Sequence, residues 1–252
     1  MPANLEGVLW LAATLLPLLF LQRGLHYEIQ SIFLLLTRRM DLSIMLFSIL
    51  FFPGVLLHEA SHYVMARLLG VRTGRFSVLP QPLPNGRLRL GFVETASADW
   101  VREALIGVAP LITGGLFVAY AGFKQLGLTE AWDAFINGTP DTLGSVISGL
   151  VSQPDFWLWF YLTLVVSSTM LPSESDRRAW LPLGLVVGGL LGISLFLGAG
   201  PWLAANLAGP LNLFLMGIAL IFAISGLVHL LLLPPLWLVR RAMERMTGLR
   251  VI

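Results

Sequence analysis

Long apolar runs separated by short polar stretches dominate the chain, and their lengths set the expected architecture. A bilayer core about 30 Å thick is crossed by about 20 apolar residues in a helix. Runs of this kind predict six membrane-spanning helices, at residues 5–21, 42–69, 100–121, 156–171, 179–197 and 210–233. Residues 29–36 are apolar but too short to cross, so an interfacial or re-entrant segment is expected there. The AGPLN stretch at 208–212 reads as the start of the sixth helix, because proline is favoured in a first turn. The terminal WLVRRAMERMTGLR reads as a separate basic helix lying in the interface.

Two segments break the pattern. In 74–95, VLPQPLPNG holds three prolines, Asn85-Gly86 is a hairpin-turn pair, and RLRLGFVE alternates basic and apolar residues as a two-faced strand does. A β-hairpin at the membrane surface is expected. Residues 122–155 are polar and rich in Gly and Pro, and read as a loop with one short amphipathic helix near 143–151. The fold class is therefore an all-α integral membrane protein of about six transmembrane helices with a short membrane-associated β-hairpin. It forms one polytopic domain, with a core at about 42–180 and C-terminal helices at 181–252.

Composition sharpens this picture. Charged residues make up 12% of the chain, half the share of about 25% usual in soluble domains, which points to the lipid bilayer as the medium. The net charge of +2 comes from arginines beside apolar runs, where they set orientation; no nucleic-acid partner is implied. The absence of cysteine excludes disulfides, thiolate metal ligands and a cysteine nucleophile. MPANLEGVLW has no basic leader and no small-residue cleavage site, so the first run reads as a retained span. With six spans, Arg23, Arg38, Arg39 and Lys124 fall on one side, and the rest of the 16 basic residues fall on the side of both termini. That bias makes both termini cytoplasmic in a multi-pass cell-membrane protein.

Chemistry concentrates at His58-Glu59-Ala60-Ser61-His62. Residues i and i+4 share a helix face, so two imidazoles can grip one Zn²⁺ while Glu59 acts as general base for an attacking water. With 4 His in 252 residues, a chance HExxH is expected only about 0.002 times. Ionisable groups in a span are costly and usually mark function, which weighs against inert packing. A catalytic zinc normally takes three protein ligands. In LPSESDRR, Asp176 is the preferred third ligand and Glu174 the alternative. The second span runs toward the cytoplasm with HEASH in its later half, and the fourth ends on that side before Pro172, so the two segments arrive at similar depth. Of the other titratable residues, His229 reads as a packed or interfacial residue. His26, Tyr27 and Glu28 read as surface or interfacial, and Asp41 as a helix N-cap.

An HExxH within a span, followed by a hairpin, another span and a later Asp, resembles the site-2 protease family of intramembrane zinc metalloproteases. The resemblance covers about 42–180 and is closest at FPGVLLHEASHYVMARLLGV. In IGVAPLITGG, Ala109 and Pro110 match an Ala-Gly-Pro motif, with Val108 where Gly and Thr113 where Asn would stand. MLPSESDRR keeps Pro172 and Asp176 but lacks the family's Leu-Asp-Gly. The resemblance implies zinc within the bilayer, reached by water through a polar cleft, and a membrane-spanning or membrane-adjacent protein or peptide as substrate. It implies that the hairpin offers a strand edge to an extended peptide, that Glu59 moves the proton, and that Thr113 binds the oxyanion; a packing role for Thr113 is equally open. A second enzyme reading is the membrane zinc-protease group that takes Glu as third ligand and trims exposed or prenylated termini, which Glu174 would favour. A third is a non-catalytic metal-binding membrane protein; the presence of Glu59 and the near absence of charges elsewhere in the spans disfavour it.

Overall fold

A computed structural model describes residues 6–82 and 88–250; the Asn85-Gly86 turn lies outside them. The chain is helical around two small antiparallel sheets. Its elements are α1 (Glu6–Thr37), α2 (Met40–Leu68), β1 (Thr73–Ser77), β2 (Gln81–Pro82), β3 (Leu88–Arg89), β4 (Phe92–Thr95) and α3 (Trp100–Tyr120), then α4 (Leu128–Asn137), α5 (Pro140–Val151), α6 (Phe156–Thr169), α7 (Trp180–Phe196), α8 (Gly200–Asn206) and α9 (Ala208–Thr247). Among the described residues, four helices are long and apolar enough to cross a membrane, or five if α7 and α8, bent by 116°, count as one span. Phe156–Thr169 is apolar but has only 14 residues, about 21 Å of helix. Their outward faces carry large apolar side chains, among them Phe20, Leu68 and Phe196, as lipid-facing surfaces do.

α1 and α9 exceed their predicted spans. Residues 29–36 are no separate interfacial or re-entrant segment: α1 runs unbroken over 32 residues, about 48 Å. The polar stretch QRGLHYE interrupts the hydropathy but not the helix, because two of its polar side chains find partners in neighbouring helices. Gln22 donates to the Ser168 carbonyl, and Glu28 pairs with Arg240 at 2.5 Å. Glu28 is buried and His26 is wedged edge-on against Phe47 and Phe51, so the surface reading fails for both. α9 starts at AGPLN as expected but continues for 40 residues through Pro234 and Pro235, absorbing the terminal basic stretch into the same helix. α1 and α9 form the most extensive helix pair. Asp41 does not cap α2; Arg39 holds the cap position, and Asp41 in the first turn pairs with it at 2.6 Å.

The hairpin is present. β1 lies opposite β4, with Phe76 across from Val93, and β2 opposite β3, with Gln81 across from Arg89. The 122–155 segment holds two helices instead of a loop with one. α5 coincides with the expected amphipathic helix, starting at Pro140 behind a Thr139 cap. α4 follows Gly127, whose φ of +58° is cheap only for glycine. The core joins α1, α2, α6 and α9 through Leu25, Phe47, Phe51, Val55, Val165 and Val228. α6 sits against α2 at Gly54: a Cβ there would lie 2.2 Å from the Val165 carbonyl oxygen. This close approach brings the end of α6 beside His58.

Candidate metal centre

HEASH lies in the last third of α2, with His58, Glu59 and His62 facing inward. Two backbone carbonyls fix the imidazoles. The Nδ1 of His58 is 2.6 Å from the Thr169 carbonyl oxygen and that of His62 is 2.8 Å from the Ile106 carbonyl oxygen. A carbonyl only accepts, so both Nδ1 atoms donate, and in the neutral rings both Nε2 atoms present lone pairs. Each acceptor is free for a local reason. Thr169 ends α6, where the last carbonyls have no helical partner. Ile106 lies four residues before Pro110, which has no N–H to give it.

Asp176 completes the arrangement from the loop between α6 and α7. The Nε2 atoms of His58 and His62 are 3.1 Å apart, Asp176 Oδ1 is 3.3 Å from His62 Nε2, and Asp176 Oδ2 is 3.7 Å from His58 Nε2. A tetrahedral ion with bonds of about 2.0–2.2 Å separates its ligand atoms by about 3.3–3.6 Å. Two lone-pair nitrogens and a carboxylate at this spacing fit a divalent cation, and His58, His62 and Asp176 could hold one. The Ser173 amide donates to Asp176 Oδ2 at 2.7 Å, orienting it from within its own loop. Burial works to raise the Asp176 carboxyl, but the two imidazoles and Ser173 outweigh it and hold the group well below the usual carboxylate range. The loop is seated by Gly107 of α3: a Cβ there would lie 2.0 Å from the Asp176 backbone oxygen.

Glu59 is buried beside the triad without belonging to it. Gly91, just before β4, is pressed against it, and a Cβ at 91 would lie 2.8 Å from Glu59 Cγ and 3.0 Å from Oε1. The His58–His62–Asp176 triad, Glu59 and the hairpin share one cavity of about 910 Å³. Glu174 also lines that cavity but is exposed and stands outside the triad. Thr113 is not brought to the cavity; its hydroxyl lies 2.5 Å from that of Ser61 and donates to the Ala109 carbonyl, tying α3 to α2. His229 is fully buried, with Nε2 2.9 Å from the Ser168 hydroxyl and Nδ1 donating to the Ser225 carbonyl. Sequence reasoning missed His26, which lines the same cavity from α1. Only three-dimensional proximity reveals it, because a lone histidine has no spacing signature.

No protein-family model matches the chain, and no curated protein or solved structure matches it.

Proposed function

We propose that this chain is an intramembrane zinc metalloprotease of the site-2 type, cutting peptide bonds of membrane-spanning or membrane-adjacent substrates. The observation that carries the proposal is the convergence of His58, His62 and Asp176 beside Glu59 in one cavity, within a bundle of membrane-length helices. Two imidazoles and one carboxylate are a ligand set that zinc favours, and three protein ligands leave a position open, as catalytic sites do. When bound, zinc supplies Lewis acidity toward water and the scissile carbonyl.

Glu59 accepts the proton of the attacking water as its oxygen bonds to the carbonyl carbon. It then returns the proton to the amide nitrogen as the C–N bond breaks. His58 and His62 are held in orientation by the backbone carbonyls that accept from their Nδ1–H groups. A substrate helix must unwind to expose its carbonyl, and the hairpin that carries Gly91 offers an edge for the extended segment. The short α6 ends at Thr169, next to His58, which is consistent with a centre within the depth of the bilayer.

The test is metal analysis joined to proteolysis. Wild type and Glu174→Ala should co-purify with one zinc and Asp176→Ala should lose it. Glu59→Gln should keep zinc yet cleave a membrane-spanning model substrate about 10²–10⁴-fold more slowly. A Glu59→Gln protein that cuts at the wild-type rate would remove Glu59 from the chemistry.

A further inference from the structure

We propose that His26 forms a recognition subsite in the cavity of the metal centre, binding an uncharged hydrogen-bonding side chain (Ser, Thr, Asn or Gln) about three substrate residues from the scissile bond. This rests on the protease reading and adds to it a substrate preference that the metal centre alone does not set.

The first ground is an unmet hydrogen bond. His26 Nε2 is buried and has no partner among the described residues. Buried polar atoms in native structures are nearly always satisfied, and one that is not calls for an explanation. His229, the other histidine outside the metal centre, cannot relieve it, because both of its nitrogens are engaged by Ser168 and Ser225. The ring of His26 is gripped edge-on by Phe47 and Phe51, with centroids 5.3 and 5.0 Å away, so it is held in place with nothing to bind.

The second ground is position. His26 lines the cavity that also contains His58, Glu59, His62 and Asp176. Phe51 and Val55 line it between these groups, along the same face of α2. Phe51 and His58 are seven residues apart on that helix, about 10 Å along its axis. An extended peptide advances about 3.3 Å per residue, so a chain whose carbonyl lies at the metal places its third neighbour beside His26. The surroundings there are Phe51, Val55 and Leu90, against which an apolar side chain packs equally well whatever its kind. A single imidazole nitrogen in that setting discriminates by hydrogen bonding, because an apolar occupant leaves it unpaired.

The experiment uses the full-length, zinc-loaded protein in detergent micelles and small hydroxamates as probes. Acetohydroxamate reports the metal alone. Two series of tripeptide hydroxamates, with the peptide on either side of the metal-binding group, carry Gln or Leu at the third residue. Wild type should bind the Gln form of one series more tightly than the Leu form, on the order of tenfold. His26→Phe and His26→Leu should abolish that preference while keeping zinc and their affinity for acetohydroxamate, and His26→Gln should retain it. An unchanged preference in both apolar variants, or none in wild type, overturns the subsite while acetohydroxamate binding upholds the metal centre. Failure of acetohydroxamate to bind zinc-loaded wild type overturns the metal centre, and the subsite with it.

Discussion

Pro110 of α3 frees the carbonyl that holds His62 of α2. Lacking an N–H, Pro110 leaves the Ile106 oxygen without its helical partner, and the His62 Nδ1–H takes it at 2.8 Å. The consequence runs to the far side of the ring, where Nε2 is aimed at His58 and Asp176. Pro110→Ala supplies the missing donor and sets it in competition with His62 for Ile106. Loss of such an outer hydrogen bond typically costs about 10–100-fold in metal affinity. Chelator competition should show zinc affinity falling by about tenfold or more, with helicity unchanged. Wild-type affinity in Pro110→Ala would mean that the Ile106 contact does not orient the ligand.

Two glycines press separately on the loop of Asp176 and on Glu59. A methyl group at Gly107 meets the backbone of Asp176, which can move only if the whole loop moves. At Gly91 it meets the side chain of Glu59, together with the Ser77 carbonyl oxygen at 3.0 Å. Gly107→Ala should therefore purify with little zinc, whereas Gly91→Ala should keep its zinc and lose turnover. Metal content and cleavage rate measured on the same two preparations decide this, and a reversed pattern would break the assignment of loop and hairpin to their separate roles.

The group that could hold a metal was legible in the sequence because two of its members are fixed by covalent spacing. His58 and His62 face one way on any helix, and the search for a third ligand was narrowed by the absence of cysteine and the need for similar depth. The preference for Asp176 over Glu174 rests in the sequence on its likeness to the family's late Asp, whereas in the structure the difference lies in how Gly107 and Ser173 seat the loop. The ends of α1 and α9 were illegible for a related reason. Glu28 reads as a polar interruption until its partner Arg240 is known, and that partner lies 212 residues away. α4 was missed because its ten residues follow a glycine in a polar, glycine-rich stretch where no apolar period stands out. Thr113 was placed by resemblance to a motif position, and its hydroxyl instead spans α3 and α2 through Ser61.

Orientation makes a prediction independent of the metal. The basic residues cluster on the side of both termini if six spans cross, with α6 and the bent α7–α8 pair each counted as one. Reporter domains fused in turn to each end should then be active only in the cytoplasmic form. Signals from opposite sides would require an odd number of crossings and would remove the argument that α2 and α6 present their ends at one depth.

The pairing of Glu28 with Arg240 predicts an asymmetric response to mutation. Both side chains are buried, at 5% and 8% exposure, and Arg240 also donates to Glu244 at 2.7 Å while lying over the Tyr27 ring. Removing one member of a buried pair leaves the other charge uncompensated, at a cost of about 3–5 kcal/mol, whereas replacing both with apolar groups is often close to neutral. Arg240→Met should thus lower the melting temperature of the detergent-solubilised protein sharply, and Glu28→Met should do the same. The double variant should recover part of the loss, because neither member of the Glu28–Arg240 pair is stranded while Glu244 still loses its Arg240 contact. Zinc content should stay at the wild-type level in the folded double variant, since the pair shares no residue with the metal centre. Additive losses in the double variant would show that the two side chains stabilise the helix pair separately, through packing and not through their mutual charge.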